Sequence, residues 1–274
     1  MMRPDSTTSA PRHGSRTRLV ALIAVSAVLT TITAIALLPI AMLTLFHARR
    51  LYASVATQLA RVILRVWGVR LIVHQDRPFP DGQTVYVSNH SSTLDVFVLV
   101  ALGLPNTRFF LSGFLRKYVP FGIIAHLMGT FFTVPQDRPA DRVRIFQRAD
   151  RILRRTRESV YLSPEGGRIT TGDIGHFNKG AFHLATSLKA PIVPLYFQIP
   201  IEIDPGLGYD MQPGIVQVHV KPPIDTHDWR IEDLAQNKER VREMFVFWHR
   251  ENRGVHHGKS FNTSTPVPAA IVAH

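Results

Sequence analysis

The longest hydrophobic feature of the chain is Leu19 to Phe46, 28 consecutive residues without a charged side chain, bracketed by Arg16 and Arg18 before and by His47, Arg49 and Arg50 after. At about 1.5 Å rise per residue this run exceeds the roughly 30 Å hydrocarbon core of a bilayer and predicts a tilted or Pro39-kinked membrane helix. A cleaved leader competes with that reading, but its apolar part spans only about 7 to 15 residues. A helical hairpin that enters and leaves one leaflet, bent near Leu37-Leu38-Pro39, fits the same composition.

Beyond residue 46 the pattern changes to short β-branched runs separated by segments of helical period. Helices are predicted over Leu51–Trp67, Leu94–Leu102, Pro139–Arg157 and Ile231–Arg250, with another opening after Lys179 and an apolar one around His126. In the Pro139–Arg157 segment, Phe146, Ala149, Ile152 and Leu153 share one face. Strands are predicted over Arg70–Val73, Thr84–Ser88, Arg108–Leu111, Thr130–Val134, Val160–Leu162, Ile192–Gln198 and Ile215–Val220. This alternation predicts an α/β fold, a single domain with a mixed, largely parallel sheet flanked by helices and preceded by the transmembrane or hairpin membrane helix. The organisation expected is a basic segment at 1–18, an anchor at 19–46, one folded domain at 47–251 and a flexible tail at 252–274.

Composition narrows the chemistry. The absence of Cys removes disulfides, thiolate zinc sites, iron–sulfur ligation and cysteine nucleophiles, and 45% hydrophobic residues exclude a wholly disordered chain. The net charge of +12 is localised. Four Arg and one Asp give +3 before Leu19, five Arg give +5 over His47–Arg70, and eight Arg against two Asp give +6 over Arg138–Arg157. Two of these segments flank the apolar run, which points to an anionic lipid surface; the positive-inside comparison places the long C-terminal part on the cytoplasmic face of the cell membrane. Nucleic acid is not expected, because the Arg-rich helix has an apolar core face and no interleaved aromatics beyond Phe146.

Candidate chemistry concentrates at two strand-to-helix junctions. In the first, Val87-Ser88-Asn89-His90-Ser91-Ser92-Thr93-Leu94-Asp95, a polar turn follows a strand. His90 and Asp95 lie five residues apart, some 140° apart in projection on a regular helix, so they meet only if His90 sits on the turn and Asp95 points back from the first helical turn. A carboxylate on one imidazole nitrogen fixes the tautomer and leaves the other to take a proton from a hydroxyl. The plain alternative is a capping box, Ser92-x-x-Asp95, with His90 a turn residue. The second junction is Ser163-Pro164-Glu165-Gly166-Gly167-Arg168, followed by Phe177-Asn178-Lys179-Gly180. Its glycines let backbone amides approach an oxyanion, and Arg168 and Lys179 suit a phosphate; the alternative is an ordinary Pro-Gly turn with a solvated Arg.

Taken together, these residues resemble a known family. Asn89-His90-Ser91-Ser92-Thr93-Leu94-Asp95 resembles the His-x4-Asp motif of the glycerolipid acyltransferases, specifically the 1-acylglycerol-3-phosphate acyltransferase family. Pro164-Glu165-Gly166-Gly167-Arg168 is similar to its Pro-Glu-Gly-Thr-Arg motif, and Ala190-Pro191-Ile192-Val193-Pro194-Leu195 to its later strand motif. The resemblance implies that 47–251 is an acyltransferase domain. His90 would then be the general base on a lysophospholipid hydroxyl and Asp95 would orient it. Glu165, Gly166, Gly167 and Arg168 would bind the acceptor, with Arg168 on its phosphate, and Pro194 would shape the site.

The same resemblance implies an acyl thioester donor, acyl-CoA or acyl carrier protein, with no further cofactor and no metal. Lysophosphatidate is the family's usual acceptor. Gly167 stands where the family has Thr, and Ser163 where it has Phe, so another lysolipid such as a lyso-ornithine lipid fits as well. The family's second block is represented by Gly113-Phe114-Leu115-Arg116-Lys117-Tyr118-Val119-Pro120-Phe121-Gly122, and its Arg by Arg138, placed with the acceptor. Two other classes compete: a membrane-anchored hydrolase using Ser91 or Ser92, which lack the Gly-x-Ser-x-Gly elbow, and a non-catalytic membrane-binding module.

Overall fold

In a computed structural model of the chain, which describes residues 16–169, 171–204 and 211–256, the uncharged run is one helix, α1 (Arg16–Leu43), unbroken through Pro39. The bend expected at Leu37-Leu38-Pro39 lies further on. Leu45 and Phe46 adopt positive φ, and α2 (Arg49–Val66) returns alongside α1. The hairpin is tied at both ends, by Thr44 Oγ1 and Tyr52 OH at 2.5 Å beside the turn and by Trp67 Nε1 donating to Ser26 Oγ at 2.8 Å far from it. Ala34, Leu37 and Ala41, spaced to share one helical face, are buried against the domain. Val20, Val28, Ile32, Ile35 and Met42 point outward and are exposed. By length and composition α1 suffices to cross a membrane.

After α2 come β1 (Val69–Gln75), β2 (Val85–Ser88), α3 (Asp95–Ala101), β3 (Thr107–Ser112), a 3-10 turn at Gly113–Lys117, α4 (Val119–Leu127) and β4 (Phe131–Thr133). Then follow α5 (Pro139–Thr156), β5 (Ser159–Leu162), α6 (Gly180–Leu188), β6 (Ile192–Gln198), β7 (Gly214–Val220) and α7 (Leu234–His256). Helix α7 runs on to His256, past the boundary at 252 expected for a tail, and 257–274, like 1–15, lie outside the described residues.

The seven strands form one sheet in the order β1-β7-β6-β2-β5-β3-β4, parallel throughout except for the β6–β7 pair. The β-branched runs read as continuous because both faces are covered. Tyr86, Phe109, Tyr161 and Leu195 pack beneath α1–α4, while Val85, Val87, Val160 and Ile192 pack beneath α5–α7. This is the α/β domain with a mixed, largely parallel sheet that the periodicity predicts. β2 runs between β6 and β5, so the loops leaving the carboxyl ends of β2 and β5 emerge side by side.

Candidate active site

Both candidate motifs lie at that edge. Parallel pairing of β2 with β5, with Val87 opposite Leu162, brings together loops 75 residues apart. Three hydrogen bonds shape the first loop from outside. The Asn89 amide spans the Phe197 backbone, accepting from its N–H at 2.8 Å and donating to its carbonyl at 2.9 Å, and Ile169 N–H donates to the His90 carbonyl at 2.8 Å.

Within this turn Asp95, 3% exposed, points back toward His90. Its Oδ2 lies 2.5 Å from His90 Nδ1 and also accepts from the N–H groups of Ser91 at 2.9 Å and Ser92 at 3.1 Å. The capping and the imidazole contact are thus one arrangement: the oxygen that satisfies the turn also holds the ring. Half of the expected capping box is absent, since Ser92 Oγ accepts from Leu94 N–H and donates to Asp204 Oδ2 at 2.5 Å, while Asp204 also accepts from Thr93 N–H at 3.0 Å. Asp204, 112 residues beyond Ser92, carries no local signal that links it to this turn.

His90 keeps a third of its side chain exposed. Burial acts against its charged form, but the hydrogen bond and charge of Asp95, with the charge of Glu165, outweigh burial and Arg168 and raise its pKa above the ordinary histidine value. With Nδ1 on Asp95, Nε2 has no hydrogen-bond partner among the described residues.

Glu165, for which the motif implies a place on the acceptor, has its carboxylate on the backbone of the two loops. It is buried, and its carboxylate accepts from backbone N–H groups on both sides, His90 at 2.5 Å through Oε2 and Gly175 at 2.8 Å through Oε1. Burial pushes its pKa up to about 7, against the pull of those two donors. Its place in the structure is to tie the two loops together.

Gly166 has φ of +69°, and a Cβ there would stand 2.7 Å from Asn178 Nδ2 and 3.2 Å from Gln136 Nε2. At Gly167 a Cβ would meet nothing within 4 Å. Gly166→Ala is therefore expected to cost about 1–3 kcal/mol, whereas Gly167→Thr, which restores the family's residue, should stay within about 0.5 kcal/mol of the parent. Thermal unfolding of the two variants checks both.

Arg168 is exposed and donates to Thr93 Oγ1, so it stands over the His90 turn. Lys179 is exposed at the N-terminus of α6, joined to the site through Asn178, which donates from Nδ2 to the carbonyls of Pro164 and Glu165. Arg138 and Pro194 make contacts of their own. The Arg138 guanidinium is paired with Asp141 at 2.5 Å in the first turn of α5, and Gln136 is the residue of that loop beside Gly166. Pro194 lies inside β6 opposite Val87, between Ile192 and Tyr196, which pack beneath α5–α7; strand alternation turns it away from α3 and Asp95.

Comparison with known proteins fits this geometry. The acyltransferase family model matches residues 70–198, from β1 to the end of β6, and contains both loops. Residues 70–198 are an acyltransferase-family domain. The chain is 29% identical over 191 residues to the 1-acyl-sn-glycerol-3-phosphate acyltransferase of Saccharomyces cerevisiae, covering 68% of this chain and 61% of that protein. To the human 1-acyl-sn-glycerol-3-phosphate acyltransferase alpha it is 28% identical over 198 residues, 68% of this chain and 66% of the relative. In both, the match spans less than two thirds of the relative's own length. The crystal structure of the 1-acyl-sn-glycerophosphate acyltransferase of Thermotoga maritima shares the fold with a TM-score of 0.67 at 17% identity, covering 89% of this chain and all of that one. In this acyltransferase domain the His90–Asp95 pair and the Glu165 loop both fall within the matched segment, whereas Asp204 and α7 fall outside it.

Proposed function

We propose that the chain is a membrane-bound acyltransferase that moves a fatty acyl group from an acyl thioester to the free hydroxyl of a lysophospholipid, 1-acylglycerol-3-phosphate giving phosphatidic acid. The observation that carries this reading is an imidazole held on Nδ1 by a buried carboxylate at 2.5 Å while a third of the side chain is exposed and Nε2 has no partner among the described residues. Nε2 takes the proton of the acceptor hydroxyl as its oxygen attacks the thioester carbonyl. The tetrahedral intermediate collapses, the C–S bond breaks, and the thiolate leaves with the proton from the imidazolium. Asp95 stabilises that imidazolium without giving up its own charge. No covalent enzyme intermediate forms and no cofactor beyond the donor is used. Acyl-CoA and acyl carrier protein both supply the required thioester.

Arg168 and Lys179 provide the cations for the acceptor phosphate. An apolar cleft lined by Val96, Phe97 and Val100 of α3, the helix that opens with Asp95, supports a place for the acyl chain. The outward face of α1 and the arginines of α2 support seating on an anionic bilayer, with the domain on the cytoplasmic face. Of Ser91 and Ser92, the two serines of the hydrolase alternative, Ser92 has its hydroxyl committed to Asp204 and Leu94.

The test is a panel of acceptors in anionic vesicles, lysophosphatidate and a lyso-ornithine lipid, each crossed with acyl-CoA and acyl carrier protein donors and read by mass spectrometry. Phosphatidic acid as the main product supports the reading. Acylation of the phosphate-free acceptor alone overturns the assignment of Arg168 and Lys179 to a phosphate.

A further inference from the structure

The loop that supplies the Gly175 amide to Glu165 is held from outside the matched segment. On α7, Arg242 Nε donates to the Gly175 carbonyl at 2.7 Å and Nη2 to the Ile174 carbonyl at 3.3 Å, while Nη1 is steadied by Glu239 at 2.8 Å. Two turns along the same helix His249 Nε2 meets the Gly172 carbonyl at 2.9 Å. The peptide that Arg242 grips through one end offers its other neighbour, the Gly175 N–H, to Glu165 Oε1 at 2.8 Å, and Glu165 Oε2 receives the His90 N–H at 2.5 Å. Gly175 passes close enough for a Cβ to stand 3.4 Å from Glu165 Oε1, so small movements of this loop bear directly on the carboxylate.

We propose that Arg242 is a positioning residue for the reaction: its fork on the Ile174 and Gly175 carbonyls fixes the Gly175 amide on Glu165, and Glu165 in turn fixes the backbone from which His90 reaches the acceptor. This rests on the assignment of His90 as general base. Arg242 touches no reacting atom. A guanidinium suits the task because its rigid planar fork aims separate N–H groups at two carbonyls and a carboxylate in fixed directions, whereas an ammonium is a compact point charge with rotatable donors.

The arrangement has an electrostatic consequence. The groups facing His90 are Asp95 from α3 and Glu165 and Arg168 from the β5 loop. Those facing Glu165 are His90 and Asp95, with the Gly175 and His90 amides as donors. Arg242 itself faces Glu239, with Lys238 and His176 next to them. Releasing the Gly175 amide withdraws one of the donors that keep Glu165 ionised. A more protonated Glu165 contributes less negative charge beside His90, so the imidazole loses its proton at lower pH.

The test titrates His90 in the full chain by NMR of labelled imidazoles, assigned with His90→Ala, next to the pH dependence of kcat/KM for acyl transfer. Arg242→Ala is expected to lower the pKa of His90, to move the acidic limb of kcat/KM to lower pH, and to reduce kcat/KM by about 10- to 100-fold. Arg242→Lys, which keeps the charge but not the planar fork, should shift both in the same direction by less, and it carries the test if the alanine variant folds poorly. Glu165→Gln should lower the His90 pKa by itself, and adding Arg242→Ala to it should move the pKa no further. Arg240→Ala, an exposed change on the same helix, should leave everything unchanged. An Arg242→Ala protein that loses thermal stability but keeps the parent His90 titration overturns the proposal, as does a shift that persists undiminished in the Glu165→Gln background. A chain that transfers no acyl group contradicts the catalytic reading instead, and the titration still reports on Arg242.

Discussion

Purified His90→Ala is expected to lose acyl transfer by about 10²- to 10⁴-fold, the range over which a positioned general base contributes, while remaining folded and bound to vesicles. The asymmetry follows from how the residue is held. The backbone of His90 is fixed by Glu165 on its N–H and by Ile169 on its carbonyl, and neither bond involves the ring. Removing the imidazole therefore leaves the β2 loop tied to the β5 loop. Asp95 Oδ2 keeps the Ser91 and Ser92 amides, so the buried carboxylate does not lose all its donors. A variant with parent unfolding behaviour and parent turnover would remove His90 from the chemistry. The measurement is kcat/KM beside a thermal melt.

Asp95→Asn should cut kcat/KM by about 10- to 100-fold and move the acidic limb of the pH profile downward. Oδ2 gathers three donors, whereas Oδ1 is buried without a partner among the described residues. An asparagine will therefore place its carbonyl oxygen where Oδ2 was and its amide nitrogen in the Oδ1 position, preserving the tautomer of His90 while removing the charge. The sign is fixed by the role. His90 works as a base only when neutral, and its pKa lies above the ordinary value because Asp95 and Glu165 stabilise the imidazolium. Activity in the parent is lost as pH falls through that raised value. Without the Asp95 charge the imidazole stays neutral to lower pH, so the limb moves down, and the lower ceiling of the profile reflects an imidazolium less stabilised in the transition state. The buried amide nitrogen also lacks an acceptor at the Oδ1 position, which should lower stability by about 1–3 kcal/mol.

Much of this architecture is legible in the hydrophobic pattern because a sheet buried on both faces leaves continuous β-branched runs, as at Val85–Val87 and Ile192–Val193. The His90–Asp95 pair is equally legible, since five residues of one turn decide whether the two side chains meet. What the pattern hides depends on distant chain. Glu165 reads as a ligand of the acceptor because its motif is local, yet its carboxylate goes to Gly175 and to a loop brought alongside only by the β2–β5 register. Asp204 and Arg242 reach the site across 110 and 67 residues and stand in no motif. Arg138 is a different case: Asp141, three residues on in the first turn of α5, competes for its guanidinium, and that spacing was readable. For Pro194 the strand period of two, counted from Ile192, already turns it away from α3.

The central claim is that the acyl group goes to an acceptor hydroxyl at His90, and the most direct test is stoichiometry. The full chain in anionic vesicles is given acyl-CoA with and without lysophosphatidate, and released thiol is counted against new ester. The account predicts one ester for each thiol and almost no thiol when the acceptor is omitted. Thiol released at the same rate without acceptor, matched by free fatty acid, would contradict it and make the site a hydrolase.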